Sequence, residues 1–169
     1  MRKAKVAITT PNRAIQVKLF RAVGSQNYEV YYPGIGPGLF DEITALKPDV
    51  FLVQATLEGI DTYELCRKIK TTPGLNGVHV VIVTSDAEKQ SQAMGALVDG
   101  VLKIPFEEKD LQRFLAEADF RNVVLMVDDS KLVHQKLGPI LREEGGYEVI
   151  EALNGIQALE KLKTEPVDV

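Results

Sequence analysis

Short apolar runs along the chain alternate with segments in which apolar residues recur every three or four positions. The runs predict buried strands, and the segments between them predict helices with one apolar face. Alternation of this kind is typical of βαβ units, in which helices cover a parallel sheet. The predicted strands are 6–9, 28–32, 50–53, 78–83 and 101–102. The pattern therefore predicts an α/β fold with a five-stranded parallel sheet.

The beginning of this pattern occurs a second time near the end of the chain. Residues 28–30 (Tyr-Glu-Val) recur at 147–149, and residues 49–50 (Asp-Val) recur at 168–169, both at an offset of 119. Strand, helix, strand and helix follow in the same order in both places, which favours a true repeat over chance. We therefore predict a domain over the first 120 residues and a partial βαβα repeat of the same fold from residue 121 to residue 169.

Two carboxylates follow the first predicted strand of the second copy. Its apolar run, 123–127, is followed by Asp128 and Asp129. Adjacent carboxylates at an exposed strand end offer Mg2+ the hard oxygen ligands that it prefers. The alternative interpretation is a solvated helix cap, which uses the same residues. With one residue of slippage, the pair falls on Thr10 and Pro11 of the first copy, which lacks both acids.

Both copies resemble the receiver domain of two-component response regulators. Residues 127–131 (Val-Asp-Asp-Ser-Lys) and 155–159 (Gly-Ile-Gln-Ala-Leu) are similar to the start of that family's pattern. The resemblance implies a flavodoxin-like, doubly wound, five-stranded sheet with its active site outside the carboxyl ends of the strands. It also implies an Mg2+-binding acidic pair after strand one and a phosphoacceptor aspartate at the end of strand three. A threonine or serine is expected to end strand four, and a lysine to follow strand five.

The first copy departs from the family at most of these site positions. The departures are Thr10 and Pro11 at the acidic pair, Gln54 at the phosphoacceptor and Ile104 at the lysine. An amide is a poor nucleophile and cannot form an acyl phosphate. Only Thr84 keeps its family identity, and without a phosphate to bind we expect it to cap the next helix. The first copy is therefore interpreted as a pseudo-receiver that is not phosphorylated.

Neighbouring ionisable residues are not predicted to replace the missing groups. Lys103 precedes Ile104, but side chains alternate along a strand, so Lys103 is expected to point the other way. Asp49 lies at the opposite end of its strand and Asp61 lies past the following loop, so both are expected to be structural. His134 falls on the first helix of the second copy, and we expect it at the surface or at the edge of the core.

The phosphoacceptor of the second copy is expected past Val169. Adding the offset of 119 to Gln54 gives position 173, so we expect the chain to be a fragment of a longer protein. No catalytic residue and no enzyme activity are predicted within the chain, although an output domain elsewhere could be catalytic. Mg2+ is expected at Asp128 and Asp129 only when the second receiver is complete, and no metal is expected for the first.

Composition narrows the range of partners and compartments. A net charge of −4 gives no basic footprint for nucleic acid. No apolar run approaches the ~20 residues that a membrane-spanning helix needs. The one cysteine, Cys66, excludes an internal disulfide and fits a reducing cytoplasm. We therefore expect a cytoplasmic protein that contacts neither membrane nor nucleic acid directly.

Three functional hypotheses follow from the resemblance and from the losses in the first copy. In the first, a histidine kinase or phosphotransfer protein phosphorylates the complete second receiver, while the first copy mediates protein contacts or homodimerisation through helices 86–97 and 107–118. The main alternative is a small-ligand sensor that uses the emptied pocket, with Thr10, Gln54 and Thr84 in its lining. The third is a structural dimer in which chains exchange the half-domain.

Overall fold

The computed structural model describes residues 3–24, 28–118, 123–143, 147–165 and 167. The chain divides into two compact units. Residues 3–119 form one of them, called the first unit below. The other, called the second unit, contains residues 120–169.

The first unit alternates strands and helices, as its apolar pattern predicts. Its elements are β1 (Ala4–Thr9), α1 (Arg13–Val23), β2 (Tyr28–Tyr31), α2 (Leu39–Leu46), β3 (Val50–Gln54), α3 (Thr62–Thr71), β4 (His79–Thr84), α4 (Ala87–Met94), β5 (Gly100–Lys103) and α5 (Glu108–Glu117). The strands form one parallel sheet in the order β2-β1-β3-β4-β5. This confirms the predicted five-stranded α/β fold.

The middle of the sheet explains the continuous apolar runs in the sequence. All four residues of the run 50–53 on β3 have an exposed fraction of 0%. Helices cover both faces of a parallel sheet, so its central strands have no polar face to show to water. The strand order places β1, β3 and β4 inside the sheet, and their carboxyl ends therefore meet at one edge.

Aspartate and asparagine side chains bond to the backbone where α1 and α3 begin and near the start of β1. Asn12 begins α1, and its Oδ1 accepts hydrogen bonds from the backbone N–H groups of Ala14 and Ile15 at 3.0 and 3.2 Å. Asp61 begins α3 in the same way. The Asp49 carboxylate accepts a hydrogen bond from the backbone N–H of Lys5 at 2.6 Å. The predicted structural roles of Asp49 and Asp61 are therefore confirmed.

Helix α4 is shorter than predicted. The sequence predicts a helix over 86–97, but α4 ends at Met94. The next turn is tighter, because the N–H groups of Gly95 and Ala96 bond to carbonyls three residues back, and Leu97 then takes a left-handed φ of 59°. Helix α5 differs from its predicted bounds, 107–118, by one residue at each end.

The second unit contains the four elements of the predicted partial repeat. They are β6 (Val123–Val127), α6 (Lys131–Glu143), β7 (Glu148–Ala152) and α7 (Gly155–Thr164). β6 and β7 form a two-stranded parallel sheet. In the parts of both units that the structure describes, no helix has the length and apolarity needed to span a bilayer.

Candidate functional site

Strand pairing gives an independent alignment of the two units. Glu29 on β2 pairs with Lys5 on β1, and Glu148 on β7 pairs with Val123 on β6. The two glutamates are the middle residues of the repeated tripeptide, 119 positions apart, whereas their partners are 118 positions apart. The one-residue slippage between the copies is therefore present in the strand register itself.

The register assigns a counterpart to each member of the acidic pair. At the offset of 118 that relates β6 to β1, Asp128 corresponds to Thr10 and Asp129 corresponds to Pro11. All four residues lie just past the carboxyl end of their strand. The two units thus present carboxylates and uncharged groups at the same place in the same framework.

A shared hydrogen bond at the strand end supports this correspondence. In the first unit the Thr10 hydroxyl oxygen accepts a hydrogen bond from the backbone N–H of Asn12 at 3.1 Å. In the second unit the carboxylate of Asp128 accepts one from the backbone N–H of Ser130 at 2.8 Å. Each acceptor orders the two residues that lead into the following helix. Asp128 therefore combines a turn contact with its place in the acidic pair.

Thr10 and Gln54 are bonded to each other at the edge of the first unit's sheet. β1 and β3 are neighbours, with Thr9 beside Val53. One residue further along each strand, the Thr10 hydroxyl donates a hydrogen bond to the side-chain oxygen of Gln54. The residues at the acidic-pair and phosphoacceptor positions thus satisfy one another, and neither carries a charge at neutral pH.

A cleft of about 390 Å³ lies beside this pair, at the carboxyl ends of β3, β4 and β5. Its lining includes Gln54, Thr56, Thr84, Asp86, Lys89 and Ile104. Open α/β sheets bind ligands outside the carboxyl ends of their strands, and the cleft occupies that location. Three of the five site positions predicted for the first unit, Gln54, Thr84 and Ile104, therefore come together around one opening. Thr10, which was also expected in the lining, is not part of it.

Thr84 does not cap α4. Its hydroxyl oxygen accepts a hydrogen bond from the backbone N–H of Asp86 at 3.1 Å. Asp86 is the cap, and its carboxylate accepts a hydrogen bond from the backbone N–H of Glu88 at 2.8 Å. The prediction for Thr84 was wrong because β4 ends two residues before the cap, so the hydroxyl reaches the capping residue and not the helix.

The end of β5 follows the alternation predicted for it. Ile104 lines the cleft, whereas Lys103 is exposed and is absent from the lining. The lysine expected of the family is therefore not replaced by its neighbour in the sequence. An apolar side chain occupies that part of the wall.

A different lysine, which the sequence pattern does not single out, reaches the cleft. Lys89 lies in the first turn of α4, and its ammonium donates a hydrogen bond to the hydroxyl of Thr56, 33 positions earlier. Lys89 follows the N-cap residue Asp86 by three positions, in a helix that begins at the edge of the cleft. This spacing is the signal in the sequence that could have placed Lys89 near the cleft. The described residues contain no carboxylate that forms an ion pair with Lys89.

Tyr63 holds the backbone of Lys89 in place. Its phenol donates a hydrogen bond to the carbonyl oxygen of Lys89 at 3.2 Å. Burial and then the nearby carboxylate of Asp86 raise the pKa of Tyr63 above its ordinary value. The phenol therefore keeps its proton at neutral pH and remains a hydrogen-bond donor.

His134 lies buried behind the acidic pair of the second unit. Its side chain is 6% exposed, and Nε2 lies 2.8 Å from the carbonyl oxygen of Asp128. Nδ1 lies 3.2 Å from the carboxylate of Glu151 on β7. The expectation of a surface or boundary histidine was wrong, because an acceptor lies beside each ring nitrogen, so the nitrogen that carries the proton has a partner in the interior.

Glu151 connects His134 to a surface arginine. The Arg142 guanidinium donates a hydrogen bond to the other oxygen of the Glu151 carboxylate at 2.7 Å. Arg142, and to a smaller degree His134, lower the pKa of Glu151. The carboxylate is therefore ionised at neutral pH and remains an acceptor for both residues.

Asp128 and Asp129 fit a magnesium ion that keeps most of its water. Within the described residues there is no cluster of three or more His, Cys, Asp or Glu side chains able to hold a metal. Mg2+ does not need one, since it binds through one or two carboxylates together with water and phosphate oxygens. Asp129 is exposed and Asp128 is half-buried, so the pair faces water at the strand end.

Comparison with known proteins points to one fold. No protein-family model matches the chain. The response regulator MprA of Mycobacterium avium is 22% identical over 147 residues, which are 82% of this chain and 62% of that protein. The chemotaxis response regulator CheY4 of Vibrio cholerae is 17% identical, with a TM-score of 0.61, and the match covers 69% of this chain and 99% of that one. The chain contains the receiver fold of response regulators.

Another solved receiver carries a metal at its active site. The receiver domain of a sensor histidine kinase from Pseudomonas aeruginosa has magnesium coordinated in its active-site cleft. It is 19% identical to this chain, with a TM-score of 0.62, and the match covers 69% of this chain and 98% of that domain. The chain spans 62% of the length of MprA from Mycobacterium avium and from Mycolicibacterium paratuberculosis. With the receiver fold in place, the cleft of the first unit and the acidic pair of the second lie where ligands bind in such folds.

Proposed function

We propose that this chain serves two-component signal transduction through two receiver copies of opposite competence. The first unit does not accept a phosphoryl group and contacts other proteins. The second unit begins a receiver that binds Mg2+ and is phosphorylated in the full-length protein. The hydrogen bond between Thr10 and Gln54 carries the proposal, because it occupies the metal and acceptor positions with uncharged groups.

Phosphoryl transfer to a receiver has two chemical requirements that the first unit lacks. A metal ion must neutralise the phosphoryl oxygens, and a carboxylate must attack the phosphorus. Thr10 offers a hydroxyl in place of a carboxylate ligand, and that hydroxyl is bonded to Gln54. The Gln54 side chain is an amide and cannot form an acyl phosphate. The proposed role of the first unit is therefore independent of its own phosphorylation.

In the second unit, Asp128 and Asp129 are the proposed magnesium ligands. Bound Mg2+ would supply the positive charge that phosphoryl transfer requires. Nε2 of His134 lies 2.8 Å from the carbonyl oxygen of Asp128, and the Asp128 carboxylate orders the start of α6 through Ser130. The proposed phosphoacceptor is the counterpart of Gln54, at position 173, and the phosphoryl donor is a histidine kinase or a phosphotransfer protein.

Exposed apolar side chains on α7 support an incomplete second receiver. Ile156, Leu159 and Leu162 are 74%, 63% and 49% exposed. Three large apolar side chains on one short helix form a surface that soluble proteins normally cover. Further strands and helices of the same fold would cover it in the complete domain.

The proposed interaction surface of the first unit lies around α4 and α5. Leu97, three residues after the end of α4, is 55% exposed, and Val101 on β5 is half-buried. The side chain of Leu97 offers apolar surface that a partner or a second copy of the chain could remove from water. Homodimerisation through this surface predicts that the molar mass from light scattering doubles as concentration rises, and that Leu97→Asp prevents the increase.

A matched substitution on another face distinguishes association through this surface from nonspecific association of exposed apolar side chains. Val17 on α1 is also apolar and is 40% exposed. Val17→Asp should leave the concentration dependence unchanged. A mass independent of concentration in the parent chain would contradict homodimerisation through this surface.

Beryllofluoride, a mimic of the phosphoryl group, tests the assignment of the two copies. The 169-residue chain with Mg2+ should show no saturable change at the cleft of the first unit. A chain extended by about 80 residues, enough for a domain of ordinary size, should bind the mimic through its second receiver. Asp129→Asn should abolish that binding, and Thr10→Ala should leave it intact.

Two outcomes would contradict the proposal. Mg2+-dependent binding of beryllofluoride at Gln54 would contradict the proposal that the first unit does not accept a phosphoryl group. Full binding by the extended Asp129→Asn variant would remove the metal assignment of the second unit.

A second candidate function is favoured by the cleft itself. The first unit has an opening of about 390 Å³ next to Lys89, which forms no ion pair within the described residues. Sensing of a small ligand at this cleft is compatible with an unphosphorylated receiver. It requires a ligand chemistry that matches the lining.

A further inference from the structure

The charge in the cleft of the first unit differs from that expected for a receiver. The metal-binding and phosphoacceptor positions are uncharged, so the attraction for a cation is lost at Thr10 and Gln54. Two charged residues belong to the lining, Asp86 and Lys89. A carboxylate oxygen of Asp86 is occupied by the backbone of the α4 cap, where it accepts a hydrogen bond from Glu88.

Lys89 is the cation of the lining, and it has unused bonding capacity. An ammonium has three N–H donors. Within the part of the chain that the structure describes, one of them bonds to the neutral hydroxyl of Thr56 and no carboxylate lies within ion-pair distance. Lys89 is also half-buried, which removes part of its hydration. A charge-assisted hydrogen bond to an anion would satisfy it better than a neutral hydroxyl does.

The remaining features suit a small ligand with an oxyanion at one end. The volume of about 390 Å³ is within the usual range for ligand pockets, about 300–1,000 Å³. Thr56 and Ser85 add hydroxyl donors to the lining, and Ile15 and Ile104 add apolar surface. Tyr63 holds the backbone carbonyl of the Lys89 residue. The hydrogen bond from Tyr63 therefore fixes the helix turn that carries the lysine.

We propose that the cleft of the first unit binds a small phosphate- or carboxylate-bearing ligand at Lys89 without a metal ion. The inference rests on the proposed loss of the metal and phosphoacceptor positions, and it names the ligand chemistry of the sensing alternative. In the receiver family, a lysine after strand five supplies an amino group to the site. Here Lys89 supplies one from α4, so an anion would be held from a different side of the cleft.

Nuclear magnetic resonance titrations of the 15N-labelled 169-residue chain test this inference. Inorganic phosphate is added in one series and sodium acetate in another, with EDTA present and sodium chloride holding the ionic strength constant. The expected result is saturable shifts of the backbone amides of Thr56, Ser85 and Lys89 in at least one series. Binding by phosphate alone would indicate a phosphate-bearing ligand, and binding by acetate alone a carboxylate-bearing one.

Substitutions identify the group that holds the anion. Lys89→Gln should weaken binding about tenfold, the amount expected for one charge-assisted hydrogen bond. Lys103→Gln removes an exposed lysine outside the lining and should leave the affinity unchanged. Thr56→Val, which keeps the charge of Lys89, should have the smaller effect of the two cleft substitutions. Equal affinity in Lys89→Gln and the parent chain would overturn the inference.

Repeating each titration with Mg2+ in place of EDTA separates this inference from the proposed function. Affinity independent of Mg2+ supports both. Absence of saturable shifts with and without Mg2+ overturns the anion site and leaves the unphosphorylated receiver standing. Binding that appears only with Mg2+ overturns both, because the cleft would then be a metal site.

Discussion

The first and second units begin with the same four elements and differ in what covers them. In the first unit, β1 lies between β2 and β3, whereas β7 is the one described neighbour of β6 in the second. Ile43 on α2 and Leu162 on α7 occupy equivalent positions at the offset of 119, yet the first is 0% exposed and the second 49%. The same local pattern therefore produces a core in one setting and an apolar surface in the other.

The two units differ in chemistry as well as in burial. Thr10 and Asp128 occupy one position of the shared framework, and both accept a hydrogen bond from the backbone two residues later. The framework needs an acceptor there but does not need a charge. Packing and chemistry at this strand end are therefore separable, since the same turn forms with the acids in one copy and without them in the other.

The largest expected effect comes from truncating the equivalent residues Ile43 and Leu162. Ile43→Ala should lower the free energy of unfolding of the first unit by about 2–5 kcal/mol, because it leaves a cavity in a closed core. Leu162→Ala should change stability by about 0.5 kcal/mol or less, as exposed positions usually do. Urea denaturation followed by circular dichroism measures both. A cost for Leu162→Ala close to that of Ile43→Ala would show that the α7 face is covered.

Glycine substitutions give a second contrast, of intermediate size. A Cβ added to Gly100 on β5 would lie 2.2 Å from the ring of Phe114, whereas one added to Gly155 at the start of α7 meets nothing within 4 Å. Gly100→Ala should cost about 1–3 kcal/mol through overpacking. Gly155→Ala should be neutral or stabilise by up to about 1 kcal/mol through helix propensity. Equal melting temperatures for the two variants would contradict the tight packing of β5 against α5.

Removing the hydrogen bond between Thr10 and Gln54 should have a smaller effect. Thr10→Val keeps the shape of the side chain but loses its bonds to Gln54 and Asn12, so a cost of about 1 kcal/mol is expected. Thr44→Val is the matched control, since the Thr44 hydroxyl bonds only to the carbonyl of its own helix at Phe40. If Thr10→Val costs no more than the control in urea denaturation, the side-chain bond does not stabilise the first unit.

The smallest expected signal is the labelling of Cys66 in the native state. Burial and then the carboxylate of Asp61 raise the pKa of this thiol to about 12, so little thiolate forms at mildly alkaline pH. Iodoacetamide should therefore label the native chain very slowly and the urea-unfolded chain quickly. As the chain has one cysteine, labelling reports the first unit alone. Ile43→Ala should speed it and Leu162→Ala should not.

The parts of the fold that follow from local patterns could be predicted from the sequence. Continuous apolar runs identified β3 and β4, and the repeated Tyr-Glu-Val identified the second unit. The structural role of Asp61 followed from its place past the loop after β3. In each case the physical cause lies within a few residues of its effect.

The features that could not be predicted depend on contacts between distant residues. Lys89 donates a hydrogen bond to Thr56, which lies 33 positions earlier in the sequence. His134 is buried with its Nδ1 beside the carboxylate of Glu151, which lies 17 positions later. Neither residue has a local pattern that reveals its partner. The early end of α4 is a case of a different kind, since the sequence from Gly95 onward allows more than one way to close the helix.

The second unit has one more residue between β6 and β7 than the first unit has between β1 and β2, and this affects how the two copies are aligned. The offset changes from 118 to 119 between β6 and β7, so the additional residue lies in the intervening segment. The pairs 5–29, 6–30 and 7–31 recur as 123–148, 124–149 and 125–150. Changes in the length of a connection cost little, because the entropy of loop closure grows slowly with length. An alignment of the two copies without a gap would place Asp128 against the buried Thr9 and miss its correspondence with Thr10.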